Sequence, residues 1–181
     1  MNVTSRNINI KAQSLEFEFE DLFAEHWSRV YNVIFRLVGD GDQAQDLALE
    51  TFWQYYRKPP AKEDNLSGWL YRVAVNLGYN DLRARKRRSH YEVEAGMQLN
   101  EGKIPPGPEQ ELMIAERRRA VQSVLAQMKP RSAKLLVLRY SGLNYAELAA
   151  VLKMKPSSVG KSLARAQDEF KALFDQFEGG G

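Results

Sequence analysis

Apolar residues recur at intervals of three and four along most of the chain, a spacing that predicts amphipathic helices. The first stripe starts at Phe19 and ends at Gly39-Asp40-Gly41, because glycine there favours a helix C-cap followed by a turn. Asp42 is the expected N-cap of a second helix, which Pro59-Pro60 stops. A third stripe, with Ser67 as its expected cap, runs on into a basic segment. The first half therefore predicts a helical bundle without strands.

The periodic pattern breaks over residues 89–108, where glycine and proline crowd together as in an interdomain linker. A helix is expected again over about 109–128, until Lys129-Pro130 breaks it. The short helix over 145–152, a tight connection and a longer helix opened by Pro156 fit a helix-turn-helix. The predicted fold class is all-α, with two small helical domains joined by a flexible linker and a helix-turn-helix in the C-terminal one.

The predicted domain division has four parts. Residues 1–15 are polar and aperiodic, which predicts a mobile N-terminal arm. The first helical domain spans 16–88, the linker 89–108 and the helix-turn-helix domain 109–176.

Charge is distributed unevenly along the chain although the net charge is only +3. Residues 83–88 hold five cations, whereas residues 16–25 hold five acids, so two different partners are expected. No apolar stretch approaches the ~20 residues that a membrane span needs, and the N-terminus lacks a secretory signal pattern. The chain has no cysteine, which excludes disulfides and thiolate zinc sites. These features predict a cytoplasmic protein without membrane insertion.

Residue patterns for catalysis are missing from the sequence. There is no phosphate-binding glycine loop, metal-ligand cluster or nucleophile–base arrangement, and His26 and His90 lack ligand-spaced companions. The sequence therefore predicts a protein that is not an enzyme and takes no metal, cofactor or small-molecule substrate.

Trp69 and Tyr71 lie near a helical stripe, where aromatic residues usually belong to the core.

The last helix carries the side chains expected to face duplex DNA. Hydroxyl and cationic residues alternate there, and the cations reach phosphates or guanine edges. These candidates are Ser157, Ser158, Lys161, Ser162 and Arg165. Gly160 lies among them, although glycine inside a helix costs ~1 kcal/mol relative to alanine. It is tolerated best where a backbone approaches DNA phosphate or a neighbouring helix.

Two sets of motifs follow one another along the chain. The first set comprises residues 19–31, Asp46-Leu47, Glu50-Thr51-Phe52, residues 69–76 and Asp81-Leu82-Arg83. The second set comprises Leu138-Arg139-Tyr140, Gly142-Leu143, residues 145–149 and residues 159–166. Together they resemble the sigma-70-type extracytoplasmic-function (ECF) factors of bacterial RNA polymerase: the first set resembles their polymerase-binding and minus-ten-element domain, and the second resembles their minus-thirty-five domain. The resemblance covers about 19–88 and 109–174.

This resemblance implies a sigma factor that binds core polymerase, directs it to promoters and helps to melt the minus-ten element. The second helix would face the clamp helices of the largest polymerase subunit through Asp46, Leu47, Leu49, Glu50 and Phe52. The third would face the minus-ten element through Asn76, Asn80, Asp81, Arg83, Arg85, Lys86, Arg87 and Arg88. The loop 59–68 would receive an extruded base. An anti-sigma factor is a further implied partner, and association with the nucleoid would follow polymerase binding.

Four positions depart from the family pattern. Gln45 and Leu49 stand where the family often has an acid and a glutamine, and Gly160 shifts the charge pattern of the recognition helix by one position. Lys153 occupies a turn where glycine often adopts a left-handed conformation. One alternative is a helix-turn-helix regulator that binds duplex DNA without acting as a polymerase subunit. Another is an interaction protein that has kept the fold but lost DNA affinity.

Overall fold

Seven helices and no strand are found in the part of the chain that the computed structural model describes, residues 3–60, 65–94 and 109–179. The helices are α1 (Val3–Val38), α2 (Gly41–Arg57), α3 (Leu66–Glu94), α4 (Glu109–Gln127), α5 (Pro130–Tyr140), α6 (Tyr145–Leu152) and α7 (Pro156–Gly179). The predicted all-α class is confirmed. None of the described helices is long and apolar enough to cross a membrane.

Helices α1 to α3 pack together as the first helical body. Val30, Ile34 and Leu37 of α1 and Leu70 of α3 are buried in the same core, and α1 packs on α3. Ala44, Ala48, Thr51 and Phe52 form the buried side of α2. Tyr71 is buried and Trp69 is half-buried with its ring against Tyr55, so the expectation that both aromatics belong to the core is confirmed.

Helix boundaries differ from the predictions at two caps. Gly39 ends α1 in a left-handed conformation, and Asp40 then caps α2 by accepting a 2.8 Å hydrogen bond from the Gln43 amide. Asp42 therefore lies in the first turn of α2 and is not its cap. Asn65 caps α3 by accepting a 2.7 Å bond from the Gly68 amide, so the predicted cap Ser67 lies inside the first turn. In both places the Asp or Asn residue immediately before the helix accepts a hydrogen bond from a free amide of the first turn.

Two helices extend beyond their predicted ends. The backbone of α1 is helical from Val3, so residues 3–15, expected as an aperiodic arm, continue a helix. No glycine or proline interrupts 3–38, and an already nucleated helix propagates at little cost. Helix α3 likewise runs to Glu94, six residues into the segment expected as a linker, and the first breaker beyond it is Gly96. The rest of that segment, 95–108, lies outside the described residues.

Helices α4 to α7 form the second body. Leu125 of α4, Leu135 and Leu138 of α5, Leu148 of α6 and Leu163 of α7 are buried together. Helix α6 has the predicted bounds, and Asn144 and Glu147 form a reciprocal capping box at its start. This second body also packs against α1 and α3, so both bodies contribute to one continuous core.

Candidate nucleic-acid and polymerase interface

The outer face of α2 exposes large apolar side chains. Leu49, Trp53 and Tyr56 are 46%, 52% and 58% exposed, and the rings of Trp53 and Tyr56 stack with centroids 5.8 Å apart. Their spacing of four and three residues places them on one helical face. Such an exposed aromatic face is typical of a protein–protein contact.

Acidic residues border this apolar face. Asp46 and Glu50 are exposed and, together with Leu49 and Trp53, line a shallow depression of about 430 Å³. Of the predicted contact residues, Phe52 is only 1% exposed and packs on Phe23 with ring centroids 4.7 Å apart. It therefore supports the face from below. Leu47 is half-buried against the core.

Neither Trp53 nor Tyr56 is among the polymerase contacts that the sequence predicts. The signal was present, because residues 49, 53 and 56 follow helical spacing on the side opposite the small residues Ala44 and Ala48. We call Asp46, Leu49, Glu50, Trp53 and Tyr56 the α2 face.

Exposed cations lie on the C-terminal part of α3. Arg83, Lys86, Arg87 and Arg88 are exposed, and Asn80 is exposed one turn before them. Loss of hydration and, second, the neighbouring Arg83 lower the pKa of Lys86. Clustered exposed cations attract an anionic polymer such as DNA. We call these four cations the α3 cation cluster.

Arg85 differs from the other cations of the run. Its Nε lies 2.7 Å from the carboxylate of Asp81, and its Nη1 donates to the Val38 carbonyl at 3.4 Å. Arg85 and Asp81 are therefore engaged within the first body. Of these two predicted minus-ten contacts, Arg85 thus bonds α3 to α1, and Asp81 pairs with Arg85 within α3.

Asn76 is half-buried and already has a partner. Its Oδ1 accepts a 2.7 Å hydrogen bond from Nζ of Lys134, which belongs to α5 of the second body. Burial lowers the pKa of Lys134. The structure therefore places the second body over this predicted DNA contact.

The loop predicted to receive an extruded base is only partly described, since residues 61–64 lie outside the described ranges. At its C-terminal end, Ser67 Oγ lies 3.4 Å from Nε2 of buried His26, and the Tyr71 hydroxyl lies 3.5 Å from Nδ1. His26 thus has two hydroxyl neighbours. Within the described residues no group of three or more histidine and acidic side chains could hold a metal ion.

The helix-turn-helix places its candidate residues on α7. Ser157, Lys161 and Arg165 are exposed at successive turns of one face, which fits the edge that enters a major groove. Ser158 and Ser162 are half-buried, and the Ser158 hydroxyl donates to the Lys155 carbonyl at 2.7 Å. Ser158 is therefore engaged at the helix N-terminus.

The turn between α6 and α7 has the geometry that the sequence predicts. Lys153 adopts φ 49° and ψ 58°, so the expected left-handed conformation is confirmed. At Gly160 a side chain would meet only Tyr145 Cε2 at 3.7 Å, an ordinary van der Waals distance. The neighbouring helix therefore does not require glycine there.

A groove of about 880 Å³ lies between the two bodies. Its apolar lining comes from Phe35 of α1, Val121 and Leu125 of α4 and Leu136 of α5, while four cations stand among its lining residues: Arg36, Arg117, Arg118 and Lys171. The groove thus combines apolar surface with positive charge.

Both halves of the chain match known families. The family model for sigma-70 region 2 matches residues 22–88, and the model for sigma-70 region 4 matches residues 118–167. The RNA polymerase sigma-H factor of Pseudomonas aeruginosa is 31% identical over 169 residues, which cover 86% of each protein. The ECF RNA polymerase sigma factor SigE of Mycolicibacterium smegmatis is 28% identical over 158 residues. The chain belongs to the ECF subfamily of the sigma-70 family.

The extent of these matches differs between relatives. The aligned part covers 84% of this sigma factor but 60% of the length of the M. smegmatis protein. ECF sigma factor SigW of Bacillus subtilis is 24% identical over 164 residues, with 84% of this chain and 87% of SigW covered. Region 2 of this sigma factor falls on α1 to α3, and region 4 falls on α4 to α7.

Solved structures share the fold. The sigma factor RpoE of Bartonella quintana, in complex with the anti-sigma factor NepR, has a TM-score of 0.56 at 19% identity, covering 87% of this chain and 97% of RpoE. CnrH, in complex with the cytosolic domain of CnrY, has a TM-score of 0.58 at 18% identity, covering 89% and 90%. Sigma factors are specificity subunits without catalytic activity, as the sequence predicts for this chain.

Proposed function

We propose that this sigma factor binds core RNA polymerase through the α2 face and recognises promoter DNA through α3 and α7. The supporting observation is the opposite character of these exposed surfaces. The α2 face combines aromatic and acidic side chains, whereas the C-terminal part of α3 and the first half of α7 expose neighbouring cations. A protein partner and a nucleic acid therefore each have a matching surface.

In this proposal the α3 cation cluster neutralises DNA phosphates near the minus-ten element while the duplex opens. Extracting a base costs a few kcal/mol of stacking, and phosphate contacts offset part of that cost. On α7, Ser157, Lys161 and Arg165 enter the major groove of the minus-thirty-five element, and Lys153 and Lys155 stand exposed beside them at the turn. The protein acts in the cytoplasm and joins the nucleoid when polymerase carries it to DNA.

The deciding experiment measures whether the chain enables core polymerase to retain and open promoter fragments from a genomic pool. The test variant changes the α3 cation cluster, Arg83, Lys86, Arg87 and Arg88, to alanine. A control variant removes the same charge from four exposed sites elsewhere, Arg57, Lys58, Arg117 and Lys171. Core-dependent opening that is lost in the test variant and kept in the control supports the proposal.

The competing regulator hypothesis makes a different prediction in the same assay. A helix-turn-helix regulator would bind duplex DNA without core polymerase and would gain nothing when core is added. Salt dependence adds a second readout, because each lost contact with a single-strand phosphate lowers the slope of log affinity against log salt by ~0.7. An unchanged slope in the test variant would remove the α3 cation cluster from the proposed interface.

We further propose an anti-sigma partner, as the structurally similar sigma factor RpoE of Bartonella quintana was solved with one. Apolar lining and positive charge suit the groove between the bodies for an amphipathic helix with acidic flanks. Arg117→Glu together with Lys171→Glu should then weaken the anti-sigma complex more than tenfold and leave core binding unchanged. Undiminished anti-sigma binding by this variant would exclude the groove as the docking site.

A further inference from the structure

Polar side chains connect the two bodies directly. Nε of Arg72 donates to the Val151 carbonyl at 2.8 Å and its Nη2 donates to the Ala150 carbonyl at 3.1 Å. These carbonyls belong to the last turn of α6, where the helix leaves its backbone acceptors unsatisfied. A cation at a helix C-terminus also interacts favourably with the helix dipole. Arg72 of the first body thus caps the first helix of the helix-turn-helix.

Two further contacts continue along α3. Lys134 of α5 binds Asn76, and its ammonium lies 5.3 Å from the centroid of the Tyr79 ring. The Tyr79 hydroxyl donates to the Met128 carbonyl at 3.1 Å, and both of these side chains are 2% exposed. Arg72, Asn76 and Tyr79 are spaced by four and three residues, so one face of α3 carries all three contacts.

The contacts between the two bodies should depend little on salt concentration. Each pairs a donor with an uncharged carbonyl, and burial lowers the pKa of Lys134, whose contacts here are an amide and an aromatic ring. Interactions of this kind are less sensitive to salt than ion pairs between exposed charges. The two bodies are therefore held together by specific hydrogen bonds beside a buried contact.

When the two bodies are packed together in this way, the protein cannot contact the minus-ten and minus-thirty-five elements at the same time. The elements lie about 25 base pairs apart, which is roughly 85 Å along a duplex at ~3.4 Å per base pair. Pro156 follows Val151 by five residues, so the start of α7 lies within about 18 Å of the carbonyl that Arg72 binds. In this arrangement α3 and α7 stand too close together to reach both elements.

We propose that Arg72, Asn76, Tyr79 and Lys134 form an autoinhibitory latch that holds regions 2 and 4 closed and occupies the minus-ten face until polymerase separates them. The inhibitory role rests on the proposed function, since it requires that α3 and α7 bind a promoter. The closed contact itself needs neither polymerase nor DNA. Opening uncovers Asn76 and frees α7 to move away from α3.

The latch is tested by measuring the distance between the two bodies in the free full-length chain. The protein has no native cysteine, so exposed Ser28→Cys on α1 and Ala172→Cys on α7 give one specific pair of spin labels. The latch variant carries Arg72→Met and Lys134→Met. The control variant carries Arg131→Met, which removes an exposed donor to the Leu152 carbonyl inside the second body.

Double electron–electron resonance should give one narrow distance distribution for the parent and the control. The latch variant should give a broader distribution that extends to longer distances. A broad distribution in the parent, or a latch variant that overlays the parent, would overturn the proposal. These outcomes are independent of sigma activity, because a chain that fails to support transcription still reports whether it is closed.

A DNA-binding assay tests the latch with the single substitution Lys134→Met, because Lys134 is not one of the predicted DNA contacts. Losing one hydrogen bond of the closed state should raise the affinity for a single-stranded minus-ten oligonucleotide by roughly two- to tenfold. Circular dichroism checks that the helical content is retained. Equal or weaker oligonucleotide binding by the folded variant would contradict occlusion by the latch.

Discussion

Gly78 of α3 lies directly against Leu37 of α1: a Cβ atom at position 78 would be 2.9 Å from Leu37 Cδ1 and 3.5 Å from the Ile34 Cα. We expect Gly78→Ala to destabilise the protein by about 1–2 kcal/mol, because overpacking at this crossing outweighs the ~1 kcal/mol gain in helix propensity. Chemical denaturation measures the free energy of unfolding.

Gly160→Ala is the matched control for this prediction, since its new methyl group would meet only Tyr145 Cε2 at 3.7 Å. There the helix-propensity gain should dominate and stabilise the protein by about 0.5–1 kcal/mol. Equal effects of the two substitutions would contradict the close α1–α3 crossing.

Trp53 and Tyr56 should contribute strongly to core polymerase binding. We expect Trp53→Ala or Tyr56→Ala to weaken it at least tenfold, because exposed aromatic residues at interface centres often cost ≥ 2 kcal/mol on truncation. Both side chains are half exposed or more, so thermal stability should change little. Fluorescence anisotropy with labelled protein and core polymerase measures the affinity.

Phe177→Ala serves as the control for the α2 face, since Phe177 is another aromatic residue, 48% exposed, on α7. It should leave core affinity within about twofold. If Phe177→Ala weakens binding as much as Trp53→Ala does, the α2 face has no special role.

Lys153 adopts a left-handed conformation that a residue with a Cβ reaches at a cost of roughly 1 kcal/mol. Lys153→Gly should therefore stabilise region 4 by up to about 1 kcal/mol, as measured by the free energy of unfolding. The same exchange at Lys171, in the interior of α7, should destabilise by about 1 kcal/mol. Effects of the same sign at both sites would be inconsistent with strain at Lys153.

Alanine substitutions at Arg83 and Arg85 should have different effects on DNA binding and on stability. Arg83 is exposed and contacts the Tyr79 hydroxyl, so Arg83→Ala should lower the salt-dependence slope of single-strand binding by ~0.7 with a smaller loss of stability than Arg85→Ala. Arg85 contacts Asp81 and the Val38 carbonyl, so Arg85→Ala should cost ~0.5–1 kcal/mol of stability and change the slope less. Paired salt titrations and denaturation curves measure both effects, and identical behaviour of the two variants would refute the distinction.

Local signals in the sequence predicted most of the helices because breakers and caps act over a few residues. The bounds of α6 and the left-handed Lys153 followed from such signals. Choosing between neighbouring caps was harder, since both Asp40 and Asp42, and both Asn65 and Ser67, are residue types that cap helices and each pair is only two positions apart. The backbone of residues 3–15 is helical without an apolar stripe, so periodicity gave no signal for it.

Contacts between the two bodies could not be predicted from local pattern. Arg72 and Val151 are 79 positions apart, and neither residue type indicates the other. The same limit applies to Asn76, whose motif predicted a DNA contact while its partner here is Lys134. Tyr56 differs, because helical spacing from Leu49 and Trp53 could have identified it.

The face of α3 that carries Arg72, Asn76 and Tyr79 also fixes the docking register between the two bodies. A slip of one helical turn, ~5.4 Å, would put Asn76, Asn80 and Arg83 in the places of these three residues. A guanidinium would then replace the phenol of Tyr79 at a site that is 2% exposed, and burying that unpaired charge is costly. Sliding along α3 is thereby disfavoured, so the closed protein has one defined geometry and opening requires complete separation of the two faces.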